Sequence, residues 1–442
     1  MIIRPAKRVR GRLTMPGDKS ISHRAAMVAA LAKGTTRVTN FSTSADCATT
    51  LSCLEKLGVC IDRSETEVEI RGVSSYFRQT SGPIDCGNSG TTMRLLAGIL
   101  AGENLESTLT GDESLRSRPM QRIIEPLTMM GATIDSDDGH APLKIKGRDP
   151  LNAISYELPV ASAQVKSCLL FAALAARGRT EITEQFLTRD HTERMLQYFF
   201  APVETRAGAR EGSRIVSVKG PTVFGPRSPA RMVSDLSVPG DISSAGYFLA
   251  AAALLPESSI ELADVGVNPT RTLYLKQLRA CGLDVEISNA RDECNEPVGT
   301  ISARSSPGSS GSADPLSLHG SIVPQLIDEL PLLAVVGSQI EGGIEIRDAA
   351  ELRTKESDRI AATVQNLRAM GAEVDEFKDG LRVTGPAPLR GAEIDPRGDH
   401  RIAMAFAVAG LIARDETEIK DAECVAVSFP EFFELLESVI ER

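Results

Sequence analysis

Pro16-Gly17-Asp18-Lys19-Ser20-Ile21-Ser22-His23-Arg24 opens a small-residue helical run near the start of the chain. Pro239-Gly240-Asp241-Ile242-Ser243-Ser244-Ala245 opens a similar run past its middle. The echo points to two related halves, of which only the first carries bases where its helix begins. Cations there sit against the positive end of the helix dipole and are locally unfavourable. A bound anion reverses that sign, because the free N–H groups of the first turn also point at it. One stretch therefore bears on both architecture and chemistry.

The echo belongs to a set of six. Each unit starts with a short polar segment, continues as an Ala/Leu-rich helix and closes with a small charged strand. The openings are Pro16-Gly17-Asp18-Lys19, Gly87-Asn88-Ser89-Gly90, Ala161-Ser162-Ala163-Gln164, Pro239-Gly240-Asp241-Ile242, Val323-Pro324-Gln325-Leu326 and Gly398-Asp399-His400-Arg401. They recur about every 70–85 residues, longer than a solenoid repeat and nearer a small α/β subdomain. Residues 35–40, 106–110, 179–183, 258–262, 343–346 and 416–419 alternate apolar and polar side chains, as half-buried strands do. A second helix ends at Leu57-Gly58, Met130-Gly131, Cys281-Gly282 and Met370-Gly371, with glycine at the C-cap.

Three units before Pro239 and three after give two domains, 19–238 and 1–18 with 239–442. The chain is expected to cross between them near 16–18 and 239–241, where Pro and Gly interrupt regular structure. Residues 1–18 then form an edge of the C-terminal domain. The Ser/Gly-rich tract 304–312 and the segment 208–212 read as surface excursions. Ala25, Val28, Leu31, Leu95, Leu96, Leu169, Leu170, Leu249, Leu332 and Met404 on the repeated helices read as core.

The bulk composition narrows the functional classes. At 442 residues the chain is too long for one ordinary core. Hydrophobic and charged fractions of 42% and 24% are those of a soluble globular protein, and no apolar run reaches the ~18 residues of a membrane span. The basic N-terminal residues lack the apolar stretch of a secretory signal, so a cytoplasmic protein is expected. A net charge of −10 argues against a broad nucleic-acid surface, so any anionic ligand must meet a local cluster of Lys and Arg. The eight cysteines include no C-x-x-C pair and read as reduced, mostly buried thiols. The five histidines show no metal-binding spacing, and no zinc site is expected.

Misplaced cations recur at equivalent helix starts: Lys19, His23 and Arg24 in unit one, Arg94 in two, Lys166 in three, His400 and Arg401 in six. Solvated surface charges are the plain alternative for any one of them, but the recurrence favours anion sites. Arg118 precedes Pro119, which is expected to begin a helix. The proline biases Arg118 away from helical geometry and leaves it on a loop, suited to bidentate recognition of carboxylate or phosphate. Unit five carries acids instead, Asp328-Glu329, on the helix expected from Pro324. Beyond it Lys355 and Arg359 lie one turn apart with Glu356 between them, as in an ordinary salt-bridged helix start. Together these residues suggest a cleft lined by cations that also holds carboxylates for proton transfer.

These motifs resemble one family over the whole chain, the 5-enolpyruvylshikimate-3-phosphate synthases, or 3-phosphoshikimate 1-carboxyvinyltransferases. Residues 16–24, 87–94, 111–119, 160–166, 188–193, 239–245, 355–359 and 399–404 each look like a family motif, in the family's order. The resemblance implies an α/β fold, the two-domain enolpyruvyl-transferase fold. It has six repeated β-α-β-α-β-β units, three per domain, in an inside-out α/β barrel. It implies transfer of the enolpyruvyl group of phosphoenolpyruvate to the 5-hydroxyl of shikimate 3-phosphate. Phosphate is released through a tetrahedral intermediate, within the shikimate pathway to chorismate and the aromatic amino acids. No metal or organic cofactor, nucleic acid or membrane is implied, and members are usually monomers.

By resemblance, Lys19, Ser20, Arg24, Ser162, Gln164, Arg189, Asp328 and Lys355 look like the shikimate 3-phosphate contacts. Lys19, Gly90, Arg118, Gln164, Arg359 and Arg401 look like the phosphoenolpyruvate side. Asp328 is the implied base for the attacking hydroxyl, and Glu356 the implied proton donor to the methylene carbon. Lys19 is the implied charge-neutralising catalytic residue. Val427 stands where some members have a Lys before the C-terminal Phe-Pro, and Ala163 where some have a second Ser, so neither role is carried over. The sister transferase acting on UDP-N-acetylglucosamine is similar to a Lys-Asn pair at the first helix and a loop Cys near 111–120. This chain has Lys19-Ser20 and no Cys there. A phosphate- or RNA-end-binding protein of similar build would present a basic groove, which the acidic net charge disfavours.

Overall fold

The computed structural model describes residues 1–73, 77–221, 235–305 and 314–442; most of the Ser/Gly-rich tract at 304–312 lies outside these. By internal contacts the chain divides into an N-terminal unit, 17–238 with 293–296, and a C-terminal unit, 1–16 with 239–292 and 297–442. The first crossing falls two residues before the expected 18/19 boundary. Gly17 is buried so tightly against the N-terminal unit that a Cβ would lie 1.7 Å from the Asn40 carbonyl oxygen. Asp18 belongs to that unit as well, because its side chain caps the following helix. The hairpin tip 293–296 joins the N-terminal unit through Glu296, whose Oε1 lies 2.8 Å from His191 Nδ1.

Three sheets of the N-terminal unit share one plan. Asp235–Ser237, Thr35–Thr39, Glu67–Arg71 and Cys60–Ser64 lie side by side in that order. Ile84–Asp85, Glu106–Thr110, His140–Lys146 and Thr133–Asp137 repeat it, as do Leu151–Asn152, Ala176–Glu184, Arg214–Gly220 and Val203–Ala207. In each, the first two strands run parallel and the rest antiparallel. A parallel pair needs a crossover, and the buried helix of each unit supplies it. The exception is the first sheet, whose leading strand 235–237 comes from just before Pro239. The segment 208–212 forms the exposed turn between two of these strands.

The C-terminal unit repeats the arrangement with borrowed strands. Arg8–Thr14 runs parallel to Ser259–Gly266 and antiparallel to Ile440–Glu441, interior to its sheet, whereas Ile2–Ile3 lies at the edge of another. Leu316–Leu318, Ile344–Ile346, Gly380–Val383 and Val374–Phe377 follow the common order. The sixth sheet departs from the expected β-α-β-α-β-β unit. It has no closing hairpin of its own, and Ile2–Ile3 pairs antiparallel with Thr417–Ile419 instead. None of the six sheets closes on itself among the described residues.

The repeated helices are α1 (Lys19–Leu31), α3 (Gly90–Ala101), Ala163–Ala173, Ile242–Leu254, Leu330–Gly337 and His400–Ile412; between the first two lies α2 (Ala45–Lys56). They are apolar on nearly every face and buried on nearly every face, as such helices must be. Gly98 permits the closest approach: a Cβ there would lie 2.1 Å from the Cys168 carbonyl oxygen of the neighbouring helix. The C-cap glycines 58, 131, 282 and 371 all have φ between +93° and +105°, the left-handed region where a side chain is strained. Of the predicted core positions Leu31 alone is only half-buried. Four of the eight cysteines are buried, three are intermediate and Cys60 is exposed, fewer buried than expected.

Two helix starts differ from expectation. The helix after Arg118 begins at Gln121 rather than Pro119; Met120 is its N-cap, and the Met120 N–H donates to the Gly139 carbonyl. In the fifth unit Val323–Leu326 makes one short turn and a new helix starts at Leu330. Pro331 has no N–H to offer the Ile327 carbonyl, so one continuous helix cannot form. Asp328 falls in the break and Glu329 at the N-cap of the new helix.

Candidate active site

The N-terminal unit gathers two groups of polar side chains at helix starts. Asp18 caps α1 by accepting from the Ile21 N–H at 2.9 Å. Lys19 Nζ lies 2.6 Å from Asp46 Oδ2 in the first turn of α2. Arg189 Nη1 donates to Ser20 Oγ at 3.4 Å. Arg24 points inward: its Nη1 donates to the Ser20 carbonyl (2.8 Å), its Nε to Thr192 Oγ1 (2.6 Å) and its Nη2 to Ser167 Oγ (2.8 Å). At 3% exposure Arg24 ties three helices together and holds Ser20 in place.

The second group surrounds Gly90. Arg94 Nη1 donates to Gln164 Oε1 at 2.5 Å, and Gln164 Nε2 donates to Thr91 Oγ1 at 2.9 Å. Arg118 Nη2 donates to Asn88 Oδ1 (2.6 Å) and to Ser114 Oγ (3.1 Å). A Cβ on Gly90 would stand 2.8 Å from Arg94 Nη1 and 3.4 Å from Arg118 Nη1, so the bare glycine keeps both guanidiniums close to the start of α3. Ser162, buried, caps its helix by accepting from the Val165 N–H.

Lys166 is not an anion seat. It is fully buried, 2.9 Å from Glu184 Oε2 and 2.7 Å from Glu193 Oε1, and Arg214 Nε lies 2.8 Å from Glu184 Oε1. Its misplaced charge is cancelled by carboxylates from a strand end and from the helix His191–Tyr198, which sequence spacing does not reveal. The pairing anchors residues 184–193, the segment that presents Arg189.

The C-terminal unit brings Asp328, Glu356, Arg359, Asp399 and Arg401 into one cluster. Arg359 is buried, with Nε 2.7 Å from Asp399 Oδ2, Nη1 3.2 Å from Asp328 Oδ1 and Nη2 2.5 Å from Glu356 Oε2. Arg401 reaches Asp328 Oδ2 at 3.4 Å, and its Nη1 donates to the Asp328 carbonyl at 3.2 Å. Burial works against each guanidinium, but the carboxylates outweigh it and hold both above the ordinary arginine range. Asp399, Glu356 and Asp328 do so for Arg359, and Asp328 leads for Arg401. Lys355 and Arg359 do not share a helical turn. Lys355 follows the short 3₁₀ segment Ala350–Thr354 and contacts Glu351 at 3.6 Å, whereas Arg359 opens the next helix behind an Asp358 cap.

Three partners escaped the reading of the sequence: Asp46, Thr192 and Asp399. Asp399 stood in the quoted opening of unit six, where a helix-capping aspartate hid its second task of holding Arg359. Glu329 accepts from Ser243 Oγ at 2.5 Å, and Ser243 Oγ accepts from Arg271 Nη2 at 2.7 Å. The base-free copy of the opening motif thus joins the C-terminal cluster through a serine.

Proteins similar to this chain over its whole length place it among the enolpyruvyl transferases. A 3-phosphoshikimate 1-carboxyvinyltransferase of Koribacter versatilis is 50% identical over all of this chain and 99% of its own length. One of Salinibacter ruber is 48% identical over 98% of each. An EPSP synthase structure from Acinetobacter baumannii superposes with a TM-score of 0.82 at 39% identity, covering 99% of this chain and 97% of that one. The enolpyruvyl transferase NikO of Streptomyces tendae shares the fold at 17% identity, with a TM-score of 0.77. Residues 3–436 match the EPSP synthase (3-phosphoshikimate 1-carboxyvinyltransferase) family model. The chain belongs to that family and is an enzyme of it.

Replacing Lys166 with Met leaves Glu184 and Glu193 buried with only Arg214 between them. The expected loss is about 3–5 kcal/mol in urea unfolding; a change below about 1 kcal/mol would show that the pair is not structurally required.

Proposed function

We propose that this chain transfers the enolpyruvyl group of phosphoenolpyruvate to the 5-hydroxyl of shikimate 3-phosphate and releases phosphate. The observation that carries the reading is the direct pairing of Arg359 and Arg401 with Asp328 and Glu356. An anionic donor competes for the same guanidinium N–H groups. Its arrival frees the two carboxylates at the moment they are needed for proton transfer.

In the addition step the 5-hydroxyl oxygen bonds to C2 of phosphoenolpyruvate, Asp328 takes its proton, and Glu356, protonated once the donor has displaced it from Arg359, protonates the C3 methylene. In the elimination step the C2–O bond to phosphate breaks and the leaving phosphate takes the proton held by Asp328, while Glu356 removes a proton from the new methyl group, forming the enol ether. Lys19, Gly90, Arg118, Gln164, Arg359 and Arg401 serve the donor. Lys19, Ser20, Arg24, Ser162, Gln164, Arg189, Asp328 and Lys355 serve the acceptor, with Arg24 acting through Ser20. Cations fixed by buried partners stabilise the developing charge without reorganising. The same reading takes the enzyme as a cytoplasmic monomer acting on small molecules, without nucleic acid, membrane, metal or organic cofactor.

Phosphate release separates this reading from its sister reaction. Turnover is expected with phosphoenolpyruvate plus shikimate 3-phosphate and not with UDP-N-acetylglucosamine; turnover with the sugar nucleotide alone overturns the assignment. Glu356→Gln is expected to lower kcat by at least about 10²-fold while shikimate 3-phosphate still binds in calorimetry. Near-normal kcat would remove Glu356 from the proton transfers.

A further inference from the structure

The second turns of α1 and α2 and the first turn of α3 are joined by a chain of hydroxyls that contains no candidate substrate contact. His23 Nδ1 lies 2.6 Å from Thr50 Oγ1, Thr50 Oγ1 lies 2.6 Å from Thr92 Oγ1, and Thr92 Oγ1 donates to Ser89 Oγ at 2.7 Å. All four residues are at 0% exposure. Each hydroxyl has one hydrogen to give. Thr92 gives its own to Ser89, so the short contact between Thr50 and Thr92 requires the hydrogen of Thr50. The longer contact from Thr50 to the Asp46 carbonyl, at 3.3 Å, cannot then hold that hydrogen. Thr50 is left with only lone pairs for His23, and His23 Nδ1 must be the protonated nitrogen.

We infer that His23, Thr50, Thr92 and Ser89 form a one-way hydrogen-bond relay that positions the starts of α1 and α3, and with them the substrate-binding residues those starts carry. The direction runs from the imidazole to the cap of α3, where Ser89 Oγ also accepts the Thr92 N–H at 3.1 Å. His23 lies beside Arg24 and three residues beyond Ser20. Thr50 is four residues beyond Asp46, the partner of Lys19, and Thr92 is two beyond Gly90. The relay thus crosses from the acceptor row to the donor row inside the N-terminal unit.

The imidazole is suited to this task only when neutral. Burial, then the charges of Lys19 and Arg24, push its pKa well below the ordinary histidine value, against the opposing pull of Asp18. His23 Nε2 is buried and makes no hydrogen bond among the described residues. A bare acceptor there fits the Nδ1–H tautomer, which leaves Nε2 without a hydrogen to place. His23, Thr50 and Thr92 are positioning residues; their significance for turnover rests on the proposed reaction, but the tautomer does not.

The test reads the near end of the relay while the far end is changed. In ligand-free protein labelled with ¹⁵N-histidine, His23 is assigned by its loss in His23→Gln. It is expected to give the neutral Nδ1–H signature between pH 6 and 9. Thr92→Val frees the Thr50 hydrogen to turn to the Asp46 carbonyl or to His23 Nδ1, so the His23 ring ¹⁵N resonances are expected to shift; Ser89→Ala is expected to shift them as well by releasing Thr92. A wild-type Nε2–H or imidazolium signal, or His23 resonances indifferent to both substitutions, overturns the relay. In steady-state kinetics Thr50→Val is expected to raise KM for both substrates about tenfold with kcat little changed, and Thr50→Ser to restore it. Equal behaviour of Val and Ser would overturn the positioning role. Absence of turnover in the wild type would instead count against the proposed reaction and leave the tautomer result standing.

Discussion

A positive side chain in the first turn of an α-helix opposes the helix dipole, and most of this molecule's polar architecture answers that conflict. α1 begins Lys19-Ser20 behind an aspartate cap, and Lys19 leans on Asp46. The helix Arg359–Ala369 begins on a buried arginine behind Asp358, and that arginine leans on Asp399, itself the cap of the helix that carries Arg401. Each cation is held by a carboxylate supplied from a neighbouring helix start. The energetic conflict is therefore local, whereas its resolution always depends on a second element. Helix ends offering unused N–H groups, with cations already fixed beside them, are ready-made seats for phosphate and carboxylate.

The borrowed strands have the same logic at the scale of the fold. Each unit is too small to bury its own helix, and the sheet over that helix needs its leading strand. For the first unit that strand is 235–237 and for the fourth it is 8–14, so the chain must cross twice to finish both. Pro16-Gly17 and Pro239-Gly240 sit at these crossings, and Gly240 keeps a parallel bridge to Val265 there. The Pro-Gly-Asp echo marks matched places in two arrays, and the charge difference between its copies marks different tasks. The first copy holds Lys19 and Ser20; the second contributes Ser243, which ties Arg271 to Glu329 beside Asp328.

Much of this was legible from residue order. Glycine C-caps, alternating strands and small-residue helices obey local rules, and they fell where the sequence placed them. Legibility failed where the deciding atom came from elsewhere. Nothing near Lys166 announces Glu184 and Glu193 as its partners, so a buried structural cation looked like a ligand site. Nor does residue order near Arg24 announce Thr192 and Ser167, the hydroxyls that hold its guanidinium. The break before Leu330 was readable in principle, since Pro331 forbids a bond to Ile327, but a proline at a helix start masks a proline that makes one. The sixth sheet is completed by the N-terminal strand Ile2–Ile3 in place of a hairpin of its own, which no periodicity reports.

We propose that the cations held at the start of α1 receive an anionic acceptor. A crystal structure with shikimate 3-phosphate bound tests this most directly. The ligand is expected within hydrogen-bonding distance of Lys19, Ser20 and Arg189, with Lys166 still enclosed by Glu184 and Glu193. A ligand seated away from the α1 start, or bound through Lys166, would contradict it.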